Sequence, residues 1–415
     1  MKKSLFALAA LGAFASVAQA QSTVTLYGTF DSSIALINGV ANGVAATTTS
    51  ATAAQTTGSS TSFIDGSFAT SAWGMRGSED LGGGMKANFH LESDLLTNNG
   101  NTHSDGLFRR AANVSISDAK LGELFLGRRG NAYIIATGAM LPVQGNTVHQ
   151  WRSVIGSSIG DQVSNSVSYA TPEIMKTNIL VQYGLNNSWE KGDDGTTFGA
   201  NLINKSIKDL TFSAAYNNMI ASQYTNALSY TPSGASANTV ANSLTVNQLS
   251  SANPTVTNRE GFAFGLKYRV NPAIEVGTLW AHGRYNTATK AAGTTLTSPT
   301  NTQATSTVAG FGVGYQAAPN LLLGANYLRT SFAAAMTNLQ AHYMLSKRTR
   351  VYSQITMTQK QTGNVQSGNL AAGAFSAIHC NSSTVTQCSD VARTSGSTNN
   401  PVDAQAYNVG IIHSF

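Results

Sequence analysis

The residues of this chain that could do chemistry are seven histidines, two cysteines and a scatter of arginines and lysines. His90, His103, His149, His282, His342, His379 and His413 show no metal-ligand spacing, so neither a metal nor a cofactor is expected. No G-x-S-x-G motif accompanies them, and hydrolysis needs a nucleophile, a base and an orienting acid converging in one place. His90, two residues before Glu92, reads as part of a strand surface. The pattern points away from an enzyme. What remains is charge on alternating positions. Lys267 and Arg269 continue a face that begins with Ala263 and Gly265, while Phe262, Phe264, Leu266, Tyr268 and Val270 occupy the other face. An element apolar on one side and basic on the other has period two, and its cations line water.

The same alternation recurs along most of the chain. Over residues 177–186, Ile179, Val181, Tyr183 and Leu185 oppose Gln182, Gly184 and Asn186. Over residues 210–217, Leu210, Phe212, Ala214 and Tyr216 oppose Thr211, Ser213 and Asn217. A soluble β-sandwich also alternates, so the connections decide. Short turns are legible at 79–83, 118–122, 172–176, 271–273, 317–320 and 346–349, and between them lie long segments rich in Ser, Thr, Asn, Ala and Gly at 38–62, 220–260, 286–306 and 361–404. Tight turns on one side and long polar loops on the other are the rhythm of a transmembrane antiparallel β-barrel, and the strands between them number about sixteen. Tyr27, Trp73, Tyr133, Tyr169, Tyr268, Trp280, Tyr315, Tyr327, Tyr343, Tyr352 and Tyr407 mostly fall near strand ends, where interfacial girdles would put them, although strands favour aromatics in any case.

Composition agrees. Charged residues make up 11% of the chain, against about 25% in ordinary soluble domains. Beyond Ala20 no apolar run approaches the roughly 20 residues of a spanning helix, so the rest of the chain either folds in water or crosses a membrane as strands. Lys2 and Lys3, the apolar stretch from Leu5 to Val17 and the small-residue site Ala18-Gln19-Ala20 read as a secretory signal peptide over residues 1–20, with one barrel domain over 21–415. Without Lys2 and Lys3, 23 basic residues stand against 19 acidic ones, and no clustered basic stripe suggests nucleic acid. Export would place Cys380 and Cys388 in an oxidising compartment, where a loop disulfide is the natural reading; two free thiols or a metal pair are the alternatives.

Specific motifs carry a resemblance. Val24-Thr25-Leu26-Tyr27-Gly28, the run from Trp73 to Ala87 (WGMRGSEDLGGGMKA), Leu107-Phe108-Arg109-Arg110-Ala111-Ala112, Leu126-Gly127-Arg128, Asn165-Ser166-Val167-Ser168-Tyr169, Leu345-Ser346-Lys347-Arg348-Thr349 and the ending Val409-Gly410-Ile411-Ile412-His413-Ser414-Phe415 run in one order along the chain. In that order they resemble the Gram-negative general porins, in particular the beta-proteobacterial trimeric outer-membrane porins. The resemblance implies a water-filled channel for passive diffusion of small hydrophilic solutes and ions. It also implies a homotrimer among outer-membrane lipid and lipopolysaccharide, inserted by the barrel-assembly machinery, which would read Phe415 as its signal.

The resemblance further implies that the third loop, residues 132–161, folds into the lumen and faces arginines on the wall. Ala139-Met140-Leu141-Pro142-Val143-Gln144-Gly145 resembles the loop tip, with Ala139 and Val143 standing where the family carries acids. Of three wall positions that carry arginine in the family, Arg110 remains, while Ala72 and Gln162 occupy the others. Alternation favours Arg109 as the inward side chain and the resemblance favours Arg110. Arg76, Arg152, Lys267 and Arg269 are further candidates, although Arg76 could serve only as an ion-pair partner for the turn acids Glu79 and Asp80. Basic residues facing a loop without acids predict a mild anion preference. The competing expectation is a barrel-anchored adhesin whose long loops do the work and whose lumen conducts little.

Overall fold

The computed structural model describes residues 23–41, 57–102, 106–138, 140–145, 162–185, 196–223, 255–289, 300–330, 335–359 and 404–415. The expected signal peptide, Arg152, Cys380 and Cys388 lie outside the described residues. Among the described residues, seventeen strand segments form a single sheet. They are β1 (Thr23–Ala41), β2 (Thr57–Asp65), β3 (Ala72–Gly82), β4 (Met85–Asp94), β5 (Ala111–Asp118), β6 (Gly122–Gly130), β7 (Gln162–Ala170), β8 (Thr177–Gly184) and β9 (Thr196–Asn204). The sheet continues through β10 (Leu210–Gln223), β11 (Thr255–Asn271), β12 (Ile274–Thr289), β13 (Thr300–Ala318), β14 (Leu321–Thr330), β15 (Ala335–Met344), β16 (Thr349–Gln359) and β17 (Ala404–Ser414).

β1 pairs with β3 from Thr23 to Thr29 and with β2 from Ser32 to Ala41, so β2 and β3 are two pieces of one crossing. β17 returns to β1 over Thr29↔Ser414 to Asn38↔Gln405 and closes the cylinder. The result is an all-β, sixteen-stranded antiparallel barrel, as the spacing predicts. Closure leaves no unpaired edge, the condition for strands to cross hydrocarbon.

Alternation decides which face is which. Val114 and Ile116 are each 56% exposed, while Asn113 and Ser115 beside them are buried. Ile179, Val181 and Tyr183 likewise point out, with Gln182 and Gly184 pointing in. An apolar exterior around a buried polar interior is the reverse of a soluble core, and it suits lipid outside and water within. The short turns share a device. Asp118 Oδ1 accepts the amides of Lys120 and Leu121, Asn271 Oδ1 those of Ala273 and Ile274, and Ser346 Oγ those of Arg348 and Thr349.

Three sequence expectations need correction. A further short turn at 205–209 joins β9 to β10, with Asn204 Oδ1 accepting the Ser206 amide. β1, β2 and β10 to β13 run into segments assigned to loops, because beyond the hydrocarbon both faces meet water and the ladder no longer needs alternation. Of the supposed girdle, Tyr169, Tyr268, Tyr315 and Tyr343 stand exposed on the outer face near the short turns. Tyr27 and Tyr352 point into the lumen instead, because their parity along their strands is that of the inner face, and Tyr133 does so because it lies on the inward helix that follows β6.

Candidate functional site

The lumen is narrowed by the segment that follows β6. Gly127 bends that strand with φ of 119°, where a Cβ would lie 2.4 Å from the Ala112 carbonyl oxygen. Asn131 then caps a short inward helix, α1 (Ala132–Thr137), by accepting the Tyr133 amide at 2.9 Å. The wall holds this helix with two polar side chains. Gln182 Oε1 on β8 accepts the Ala132 amide at 3.0 Å, and Asn201 Nδ2 on β9 donates to the Ala132 carbonyl at 2.6 Å. Tyr133 and Ala136 are buried in one apolar cluster with Ala215 and Ala263 of the wall.

Beyond α1 the loop tip crosses the inner wall. Met140 and Leu141 are buried, and the Val143 carbonyl accepts from Gln340 Nε2 at 3.1 Å and Asn326 Nδ2 at 3.3 Å. At the end of the described stretch Gly145 meets the ring of Phe68. Phe68 lies between β2 and β3, in residues 66–71, which fold inward over Asp31. The Asp31 carboxylate accepts the amides of Phe68 and Ala69 and the hydroxyl of Tyr352, each at 2.7 Å. The described part of the third loop therefore lies in the lumen, with Val143 against the wall.

The expected wall cations fall into two groups. Arg109 pairs with Asp94, and Arg110 with Glu92, both acids on the inner face of β4. Tyr27 Oη donates to the same Glu92 at 2.7 Å and also bonds His90. The choice between Arg109 and Arg110 dissolves, since both reach inward from just before β5; neither faces the loop as an unopposed charge, because β4 supplies the acids. His90 is a lumen residue in this network rather than a plain strand surface. Arg269 pairs with Glu275 at 2.9 Å and, with Pro142 and Val143, lines a cavity of about 820 Å³ between the loop tip and the short-turn end. Lys267 is half-buried on the inner face of β11. Ala72 is buried opposite Asp94, and Gln162 opens β7 opposite Gly130.

Arg76 makes no ion pair with Glu79 or Asp80; its guanidinium lies 5.2 Å from the centre of the Tyr27 ring. Two arginines not singled out in the sequence behave alike. Arg129 stacks 3.7 Å over Phe125, and Arg350 lies 4.5 Å over Phe68. Parity along β6 and β16 was the signal that could have found them. Asp94 and Glu92 were equally legible, sharing the inner face of β4 with His90.

A closed antiparallel barrel, apolar outside and polar within, with a loop folded through its lumen, defines a pore-type transmembrane protein. The chain belongs to the Gram-negative porin family, whose sequence profile matches residues 7–363, and the barrel is an outer-membrane one. Among curated relatives, an outer membrane porin protein of Bordetella pertussis is 36% identical over 46% of this chain and 49% of its own length. Outer membrane porin protein 32 of Delftia acidovorans is 44% identical over 31% of this chain and 32% of its own. The matched stretches thus span about half the length of the first relative and a third of the second. Among solved structures, the anion-selective porin from Comamonas acidovorans superposes with a TM-score of 0.63 at 18% identity, covering 95% of this chain and all of that one. OmpF of Salmonella typhi superposes at 0.53 with 13% identity over 94% and 97%. These are likenesses of fold.

Proposed function

We propose that this protein is a water-filled channel for passive diffusion of small hydrophilic solutes and ions, with a weak preference for anions and no catalytic activity. The observation that carries the preference is the seating of Arg76, Arg129 and Arg350 on aromatic rings, with no carboxylate ion-paired to any of them among the described residues. A guanidinium seated over a ring keeps its in-plane N–H donors for a passing anion. Arg109 and Arg110, by contrast, are neutralised by their partners. That the Comamonas neighbour is an anion-selective porin supports the same reading.

Assembly as a homotrimer follows the family, and OmpT of Vibrio cholerae has been described in a trimer form. Contact with lipopolysaccharide, insertion by the barrel-assembly machinery through Phe415, removal of residues 1–20 and a Cys380–Cys388 bridge complete the reading. Planar-bilayer recording tests it. Stepwise conductance, with a zero-current potential of anionic sign in a potassium chloride gradient, is the expected outcome. Clear cation selectivity removes the anion preference, and a silent protein points to the adhesin instead.

A further inference from the structure

The tip of the third loop rests on glycines. Gly265 on β11, Gly277 on β12, Gly314 on β13 and Gly324 on β14 stand on the inner faces of adjacent strands beneath residues 140–143. None of them has positive φ, so the backbone does not call for glycine; space does. A Cβ at Gly277 would lie 2.6 Å from the Met140 carbonyl oxygen and 2.7 Å from Pro142 Cδ. One at Gly324 would lie 2.8 Å from Val143 Cβ, and one at Gly265 2.6 Å from Met140 Cβ. Side-chain ends can turn aside, but a main-chain oxygen and a Cβ move only with the loop. The tip therefore sits closer to the wall than any side chain beneath it would allow.

We infer that this glycine seat sets the width of the eyelet, so that positions 277 and 324 determine which solutes pass although they line no part of the path. The wall stands behind the tip, and the Val143 carbonyl is tied to it by Gln340 and Asn326. A loop lifted by roughly 1 Å to restore ordinary contact has only the lumen to move into, and pore diameter governs both conductance and cut-off. The inference rests on the channel reading above.

The test compares wild type with Gly277→Ala and Gly324→Ala in planar bilayers, and in liposome swelling with neutral mono-, di- and trisaccharides. Each variant should lose roughly twofold in conductance, and trisaccharide entry should fall more than monosaccharide entry. Gly310→Ala, on the same face of β13 but with its three nearest atoms in Leu328 and Tyr327 rather than in the loop tip, keeps wild-type values. In the Val143→Gly background, Gly324→Ala loses its effect, because the Cβ it collides with is gone. Heat-dependent gel mobility reports folding, and should Gly277→Ala not fold, the Gly324→Ala and Val143→Gly pair carries the test. Wild-type conductance and cut-off in folded Gly277→Ala and Gly324→Ala overturn the inference. Silence of the wild type overturns the channel reading instead.

Discussion

At the scale of single residues the lumen separates charges that are neutralised from charges that are offered. Glu92 holds Arg110, Tyr27 and His90 together. Glu92→Gln should release Arg110 and push the zero-current potential further toward anions, whereas Arg350→Ala should push it toward cations; equal potentials in both would contradict the assignment. Val143→Glu places an acid on the loop tip and should also move the pore toward cations. Asp31 carries a structural role, since its carboxylate accepts three hydrogen bonds that fold residues 66–71 inward. Asp31→Ala leaves those donors unsatisfied at a cost of about 2–4 kcal/mol. The barrel should unfold in detergent at a lower temperature, followed by gel mobility, and Phe68 should no longer hold the end of the loop.

At the scale of elements, α1 is too short to persist alone, so its place depends on Gln182 and Asn201. Gln182→Ala removes the acceptor of the Ala132 amide, worth about 1 kcal/mol. The expected result is a folded barrel with more frequent transient closures in single-channel records. The strands themselves were legible in the sequence, because alternation against lipid is obligatory: a polar residue in place of Val114 or Ile116 would face hydrocarbon. The split of one crossing into β2 and β3 was not legible, since it is caused by Asp31 reaching across from a neighbouring strand. The pairings of Arg109 and Arg110 were hidden for the same reason. Alternation tells which face a side chain takes but not the register that sets Asp94 and Glu92 beside it. Arg129 shares the inner-face parity of Glu123 and Phe125 on β6, and the register irregularity beside it puts its extra residue on β7.

At the scale of the whole molecule, the charge effects should be sensitive to salt. The Debye length falls from about 10 Å at 0.1 M to about 3 Å at 1 M, so the anion preference should fade as the ionic strength of both chambers rises. A preference that persists unchanged would indicate a binding step rather than a field. Removal of Phe415 should leave unassembled protein in the periplasm, detected by fractionation, while normal insertion would show that the last residue is dispensable.

The closure of β17 onto β1 carries a consequence of its own. The Phe415 amide donates to the Gly28 carbonyl at 3.0 Å and the Gly28 amide returns a bond to the Phe415 carbonyl at 3.3 Å, so the two extremities of the described barrel are stitched side by side. No stave of such a cask is first or last in space. A gene rearranged to begin inside one of the long connections, with a short linker fusing the old extremities, would describe the same cylinder. The order of synthesis is a fact of delivery to the membrane, and the architecture is indifferent to it.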